Sequence, residues 1–170
     1  MYVPFESIPN HARVWIYQAN RRLSSDEAQQ VQQGGQSFVE QWAAHGQDLR
    51  ATIAVFHHHF VVVALDEQHH AASGCSIDSS VGFIRSIEEA FTKSGQPINF
   101  FDRTLVAFYP SDAVTLVPLT EAKKQIADGR ISPEIRTFNN LVGTKGELED
   151  RWLTPVKVSW LSRYLPKVQA

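Results

Sequence analysis

The spacing of apolar residues divides positions 12–109 into segments with two different periods. β-branched and aromatic residues at 13–17, alternating apolar residues at 49–55 and an apolar run at 104–109 predict three strands. The run at 60–65 has no polar position, so it predicts a further strand that is covered on both faces.

A helical period follows the first strand. Ser24 and Glu27 have the spacing of a capping box, which predicts a helix with Ser24 as its N-cap. Its apolar residues recur at intervals of seven and four and share one face: Val31, Phe38 and Trp42. We expect this helix to end near His45, with Gly46 as the first residue beyond it. The glycines at 34–35 cost roughly 1 kcal/mol each relative to alanine, so they predict a kink or close helix packing.

A second helical period is predicted to begin near Asp78 or Ser79 and to stop at Gly95. Its apolar positions again fall on successive turns: Val81, Ile84, Ile87 and Phe91. The element order over residues 12–109 is therefore βαββαβ, the split βαβ pattern of the ferredoxin-like fold. We expect a four-stranded antiparallel sheet with both helices on one face and the first and third strands at its centre.

Residues 111–170 follow as a C-terminal α/β extension of the α+β core at 1–110. A strand near 115–119, a helix at 120–128 and a strand at 136–138 are predicted, and Thr144 and Glu147 have the spacing of a second capping box. No linker composition separates the two parts. The extension also carries a large apolar load: Trp152, Trp160, Leu161, Tyr164 and Leu165. We expect it to pack on the first part, over the open face of the sheet, as one domain.

Composition narrows the class of protein. The 170 residues carry a net charge of −2 and no run of more than two basic residues, which argues against nucleic acid or an anionic membrane as partner. A single cysteine excludes an internal disulfide. Because neither a signal peptide nor an apolar run of about 20 residues is visible, we expect a soluble cytoplasmic protein.

Five short blocks of the chain carry a resemblance that covers nearly its whole length. They lie at 42–46, 74–81, 100–103, 138–142 and 144–148. They resemble the signature blocks of a family of short uncharacterised bacterial proteins, some of which are labelled ABC-transporter ATPases. The resemblance implies no catalytic assignment. The residues do not support the ATPase label, because the Gly-Thr-Lys at 143–145 has the wrong order for a phosphate-cradling loop and lacks its first glycine.

The candidate site lies in block 74–81. In a split βαβ unit the end of the first helix and the start of the second meet at one edge of the sheet, so His45 should face Cys75 and Asp78. Cys75 would precede a helix N-terminus, which can lower the pKa of a thiol, and His45 would be its base. The simpler interpretation, which we favour, is a small buried cysteine in a tight loop, with Asp78 or Ser79 as the N-cap. Ser76 and Ser79 are the ligand-binding candidates of this loop.

A second set of candidates comes from the extension. Asn139 and Asn140, followed by Thr144 and Lys145, offer amides, a hydroxyl and a cation near a helix N-terminus, which suits an anion or a carboxylate. Asn-Asn is also ordinary turn chemistry, and we favour the turn. These residues could close the first site from the side.

The histidines at 57–59 and 69–70 have spacings that metal ligands can use, with Asp66 and Glu67 nearby. They do not complete a recognisable ligand set. We therefore interpret 57–59 as a solvated hairpin turn and expect neither a metal nor a cofactor.

The functional prediction is a module that binds a small molecule or a protein without catalysis. No set of acid, base and nucleophile is well supported, whereas the aromatic-rich C-terminus offers a recognition surface. The alternative is an enzyme that depends on Cys75, with His45 as base, for acyl or thiol chemistry.

Overall fold

A computed structural model describes residues 1–44, 47–48, 50–67 and 74–167, and for 43–44, 47–48 and 74–76 it describes the backbone. The helices are α1 (Ser25–Gln41), α2 (Gly74–Lys93), α3 (Leu119–Ala127) and α4 (Lys145–Arg151). The strands are β1 (Arg13–Gln18), β2 (Ala43–Ala44), β3 (Gln47–Asp48), β4 (Arg50–Phe56), β5 (Phe60–Asp66), β6 (Leu105–Tyr109), β7 (Thr115–Pro118), β8 (Arg136–Phe138) and β9 (Leu153–Pro155). Short 3-10 helices cover Phe5–Ser7, Val156–Val158 and Trp160–Tyr164.

The first sheet is antiparallel and has the strand order β1-β5-β4. Val63 in β5 pairs with Trp15 of β1 on one side and with Ile53 of β4 on the other. All seven residues of β5 are buried, so the predicted central strand without polar positions is confirmed.

The ferredoxin-like arrangement is not confirmed, because β6 does not join the first sheet. It pairs with β7 and β8 in a second antiparallel sheet of order β7-β6-β8-β9, and β1 is left at the edge of a three-stranded sheet. The reason lies in the side chains of β6. Val106 and Phe108 are buried in one core and Ala107 in another, so β6 needs cover on both faces. The first sheet covers the Ala107 face, and α3 with the last 3-10 helices covers the other.

The two sheets and the helices form four layers. α1 and α2 pack on one face of the first sheet, in a core that includes Val61, Val63 and Leu65. The opposite face packs against the second sheet and α4, and Phe60 lies within 4.6 Å of Phe138, measured between ring centroids. α3 and the last 3-10 helices cover the outer face of the second sheet. The extension therefore packs on the open face of the first sheet, as expected.

Local signals set the start of α1 but not its end. Ser24 Oγ accepts a hydrogen bond from Glu27 N (3.1 Å) and Glu27 Oε1 accepts one from Ser24 N (2.8 Å), so the capping box is confirmed. The helix stops at Gln41 rather than near His45, because Trp42 is already extended and β2 and β3 pair directly beyond it. His45 and Gly46 lie outside the described residues.

The glycine pair marks a close approach, as expected, but to a strand. A Cβ at Gly35 would lie 2.4 Å from Ile53 Cγ2 in β4, whereas one at Gly34 would meet Phe83 of α2 at an ordinary 3.7 Å. Glycine at 35 thus lets α1 lie close to the first sheet.

The second helix begins earlier than predicted. α2 includes Gly74, so Asp78 and Ser79 lie inside it rather than at its N-cap. Residues 74–80, expected to be a loop, are its first turns. The predicted stop is confirmed by Gly95, whose φ of +81° favours glycine. No helix among the described residues is long and apolar enough to cross a membrane.

Candidate functional site

A cavity of about 310 Å³ lies between the last turn of α1 and the first turns of α2. Its described lining consists of Phe38, Gln41, Trp42 and Ser79. Phe38 and Trp42 have ring centroids 5.4 Å apart, and Phe38 stacks almost parallel on Phe83 at 4.8 Å. The cavity therefore combines an aromatic wall with an amide and a hydroxyl.

Helical spacing explains this arrangement. Phe38, Gln41 and Trp42 stand at i, i+3 and i+4 along α1, positions that share one face. On α2, Ser79 and Phe83 are also four residues apart. Trp42 is almost fully buried, while Ser79 and Gln41 are exposed. The apolar wall lies deep, and the groups that can form hydrogen bonds lie toward solvent.

The predicted residues of this edge are only partly described. Ser79 lines the cavity, and Asp78 beside it is exposed. Cys75 stands four residues before Ser79 in α2 and Ser76 three, but their side chains lie outside the described part of the chain, as does His45. The pairing of Cys75 with His45 stays a prediction.

Asn139 and Asn140 are engaged within the protein. Asn140 Nδ2 donates to Gln18 Oε1 and Asn140 Oδ1 accepts from Trp152 Nε1, both at 2.9 Å. Asn139 Oδ1 accepts from Leu141 N at 3.1 Å, which is ordinary turn chemistry. These contacts connect β1 with the end of α4, so they explain both asparagines without a ligand.

Thr144 and Lys145 begin α4. Thr144 Oγ accepts from Glu147 N at 3.2 Å, as the second capping box predicts. Lys145 is buried and its Nζ donates to the carbonyls of Ile8 (2.7 Å) and Glu6 (3.3 Å). Lys145 thereby ties the N-terminal segment to α4.

Ser79, a described member of the first set, and the second set do not line one site. Phe38 and Trp42 belong to the core on the helical face of the first sheet, whereas Val142 and Leu148, which flank Thr144 and Lys145, belong to the core on its other face. A ligand-binding role of the second set stays a prediction, and it would concern a separate place in the molecule.

The histidines at 57–59 form the predicted hairpin turn, but the turn is partly buried rather than fully solvated. His57 and His58 have φ values of +53° and +57°, a conformation that costs non-glycine residues roughly 1–2 kcal/mol each. The ring of His57 contacts four aromatic rings at centroid distances of 5.1 to 6.4 Å: Phe60, Tyr109, Phe138 and Trp152. Burial lowers the pKa of His57 and that of His59 below their usual range.

A second cavity, of about 260 Å³, lies between this turn and the first half of α1. Its lining is Ala28, Gln29, Gln32, Val55, His57 and His58. The Gln32 amide spans it to β4, donating to Ile53 O (2.8 Å) and accepting from Val55 N (3.2 Å). Within the described ranges, no group of three or more His, Cys, Asp and Glu side chains could hold a metal ion. His69 and His70 lie outside those ranges.

Asp66 makes two contacts with basic side chains that the sequence patterns did not indicate. Asp66, at the buried end of β5, lies with its Oδ1 3.2 Å from His11 Nε2 and its Oδ2 3.7 Å from Arg50 Nη1. The backbone on both sides of His11 is held by α4, because Gly146 N donates to Asn10 O and Lys145 N to Ala12 O. The polar end of an otherwise apolar strand was the one available signal.

No protein-family model, no curated protein and no solved structure matches this chain. The similarity to short bacterial proteins stays a prediction from five sequence blocks. The fold and the cavity define an α+β protein with two antiparallel sheets between helical layers and an aromatic-walled cavity between its two longest helices.

Proposed function

We propose that this protein is a non-catalytic module of the cytoplasm that binds a small molecule in the cavity between α1 and α2. The observation that carries the proposal is the aromatic wall of Phe38 and Trp42 beside the polar groups of Gln41 and Ser79. Ligand sites commonly join an apolar surface to a few hydrogen-bonding groups that fix orientation.

The dimensions limit the ligand. A volume of about 310 Å³ is at the lower end of the roughly 300–1,000 Å³ that small-molecule sites occupy. Phe38 is half-buried, so it favours a flat apolar part of the ligand that can pack against its ring. Gln41 and Ser79 favour a hydrogen-bonding group at its other end. The expected ligand is a metabolite with one planar ring and one polar substituent.

A thermal-shift screen with such compounds tests the proposal, because a ligand that binds the native state raises its stability, by about 2.7 kcal/mol at one hundred times its Kd. Compounds that raise the melting temperature should bind much more weakly to Phe38→Ala and Ser79→Ala. The matched control is Gln29→Ala in the second cavity, which should bind as the wild type does. Equal affinity in all four proteins would contradict the proposed site.

The alternative is a Cys75-dependent enzyme. It is favoured by the position of Cys75 as the second residue of α2, since the partial positive charge of a helix N-terminus stabilises a thiolate. The rate of alkylation of Cys75 should be measured against pH. A thiol pKa below about 7 with fast labelling would favour the enzyme, and a protected, unreactive thiol would favour the binding module.

A further inference from the structure

The last two 3-10 helices, at 156–164, expose apolar side chains although buried residues hold both helices to the core. Val156 and Leu161 are fully buried in the core beside α3. Between and beside them, Val158 is 67% exposed and Trp160 44%. Since the anchors of the same two 3-10 helices are buried, loose packing does not explain this exposure.

Trp160 lies beside a tyrosine whose ring is contacted by two cations. Trp160 and Tyr164 meet edge to face at a centroid distance of 6.4 Å. Lys123 Nζ lies 5.2 Å and Arg163 Cζ 6.0 Å from the centre of the Tyr164 ring. Neither cation forms a salt bridge with a residue in the described ranges, whereas Lys157 pairs with Glu134 at 2.9 Å. The cations of Lys123 and Arg163 can therefore meet carboxylates of another molecule.

The charge of this part of the chain differs from that of the rest. Residues 152–170 contain three basic side chains and no acidic one: Lys157, Arg163 and Lys167. Residues 1–151 hold the other thirteen basic and all eighteen acidic side chains, a net charge of −5. A basic end on an otherwise acidic protein steers an acidic partner toward that end.

We propose that an acidic peptide segment of a partner protein docks on one surface of this protein, here called the Trp160 surface. The surface consists of Lys123, Val158, Trp160, Arg163 and Tyr164. Trp, Tyr and Arg are the residues that most often dominate the binding energy of interfaces. Val158 and Trp160 contact an apolar side chain of the segment, and Lys123 and Arg163 contact carboxylates that flank it. This proposal does not depend on the cavity between α1 and α2, which belongs to the opposite outer layer.

A peptide suits this surface better than a nucleic acid does. Val158 has no π face on which a base could stack. Two cations without salt bridges are also few compared with the roughly 6–10 phosphate contacts of nucleic-acid-binding proteins.

Fluorescence anisotropy with a labelled synthetic peptide tests the proposal. The probe has a central Leu-Phe pair flanked by Asp and Glu, and its counterpart has Lys at every acidic position. The acidic peptide should bind at least tenfold more tightly than the lysine peptide, and Trp160→Ala should weaken its binding roughly tenfold or more. Charge reversal in Lys123→Glu should also weaken binding of the acidic peptide. The loss of affinity should be larger at about 0.05 M than at about 0.15 M salt, because salt screens surface charges.

Two further variants keep the result interpretable. Val158→Ser removes an exposed apolar side chain of the Trp160 surface, leaves the core unchanged and should also weaken binding. Leu141→Ser is the matched control, because Leu141 is 91% exposed on a turn and should leave binding unchanged. Circular dichroism verifies that all variants are folded.

Several results would overturn the proposal. They are no binding of the acidic peptide at about 1 mM, equal binding by the wild type, Trp160→Ala and Val158→Ser, and tighter binding of an oligodeoxythymidine than of the peptide. Another is self-association in light scattering that Trp160→Ala abolishes, because the occupant would then be a second copy of this chain.

Discussion

The two sheets of this protein differ in the length of their strands and in the elements that cover or connect them. In the first sheet, β4 and β5 are seven residues long and adjacent in sequence, and the covering helices α1 and α2 have 17 and 20 residues. In the second sheet, β8 and β9 have three residues each and are separated by α4. Long strands and helices build the first sheet, whereas the second has short strands and depends on the cores that it shares with the first sheet and with α3.

The largest expected effect concerns the core between the sheets. Phe60 is fully buried and its ring lies 4.6 Å from that of Phe138 and 4.9 Å from that of Trp152. Phe60→Ala should cost about 3–5 kcal/mol of unfolding free energy, from lost burial and a residual cavity. Urea denaturation followed by fluorescence and by circular dichroism measures this loss. Two separate transitions in the wild type would show that the sheets are independent units, contrary to a shared core.

A smaller effect is expected from the polar link between the sheets. Asn140→Ala removes the partner of Trp152 Nε1 and of Gln18 Oε1. Leaving such partly buried groups without partners should cost about 1–3 kcal/mol. Denaturation midpoints measure the change, with Leu141→Ser, expected within about 0.5 kcal/mol of the wild type, as neighbouring control. A loss no larger than that of the control would mean that water replaces both bonds.

The glycine pair tests how closely α1 approaches the first sheet. In Gly35→Ala the new Cβ would overlap Ile53, which should cost about 1–3 kcal/mol of unfolding free energy. The gain in helix propensity, about 1 kcal/mol, offsets part of this cost, so the variant should be destabilised overall. Gly34→Ala has room beside Phe83 and should be neutral or stabilising by up to about 1 kcal/mol. Urea midpoints of the two variants compare them directly. The opposite order would show that α1 lies farther from β4.

The smallest expected effect is a pH dependence at the His57 turn. Burial lowers the pKa of His57 in the folded state from its usual 6.5, so the unfolded chain binds this proton first as the pH falls. Stability should therefore be full above about pH 6.5 and decrease below it, toward the lowered folded pKa. His57→Asn removes the titration and tolerates the positive φ, so its stability should decrease less between pH 7 and about pH 5.

Melting temperatures of the wild type and of His57→Asn, measured between pH 7 and about pH 5, test this prediction. Leu141→Ser changes no titratable group and should keep the wild-type pH dependence. Parallel curves for His57→Asn and the wild type would mean that other groups cause the acid sensitivity.

The elements that could be predicted are those with local signals. The capping box at Ser24, the apolar run of β5 and the glycine stop at Gly95 each depend on residues that are close in sequence, and each is confirmed. The pairing of β6 could not be predicted in the same way. Its apolar residues fit either sheet, and the choice depends on β7 and β8, which follow it in the chain.

The candidate site was predictable only in part. The shared face of Phe38 and Trp42 followed from their spacing, but it indicated a core face and not a cavity wall. Ser79 lines the cavity from inside α2, which starts earlier than predicted. The sequence did not indicate this start, because Gly74 and Ser76 are residues that are common in loops. The burial of His57 depends on rings from the second sheet, which no local pattern connects to this turn.

The Gln32 amide has a consequence for aggregation. β4 is an edge strand, and such an edge is a template for strands of other chains. On this edge, Gln32 occupies Ile53 O and Val55 N as the peptide group of a neighbouring strand would. Ala51 is occupied by the N-terminal residues, because Val3 N donates to its carbonyl and its own N–H donates to Met1 O. One glutamine and a three-residue segment thus protect the β4 edge of the first sheet against intermolecular β-pairing.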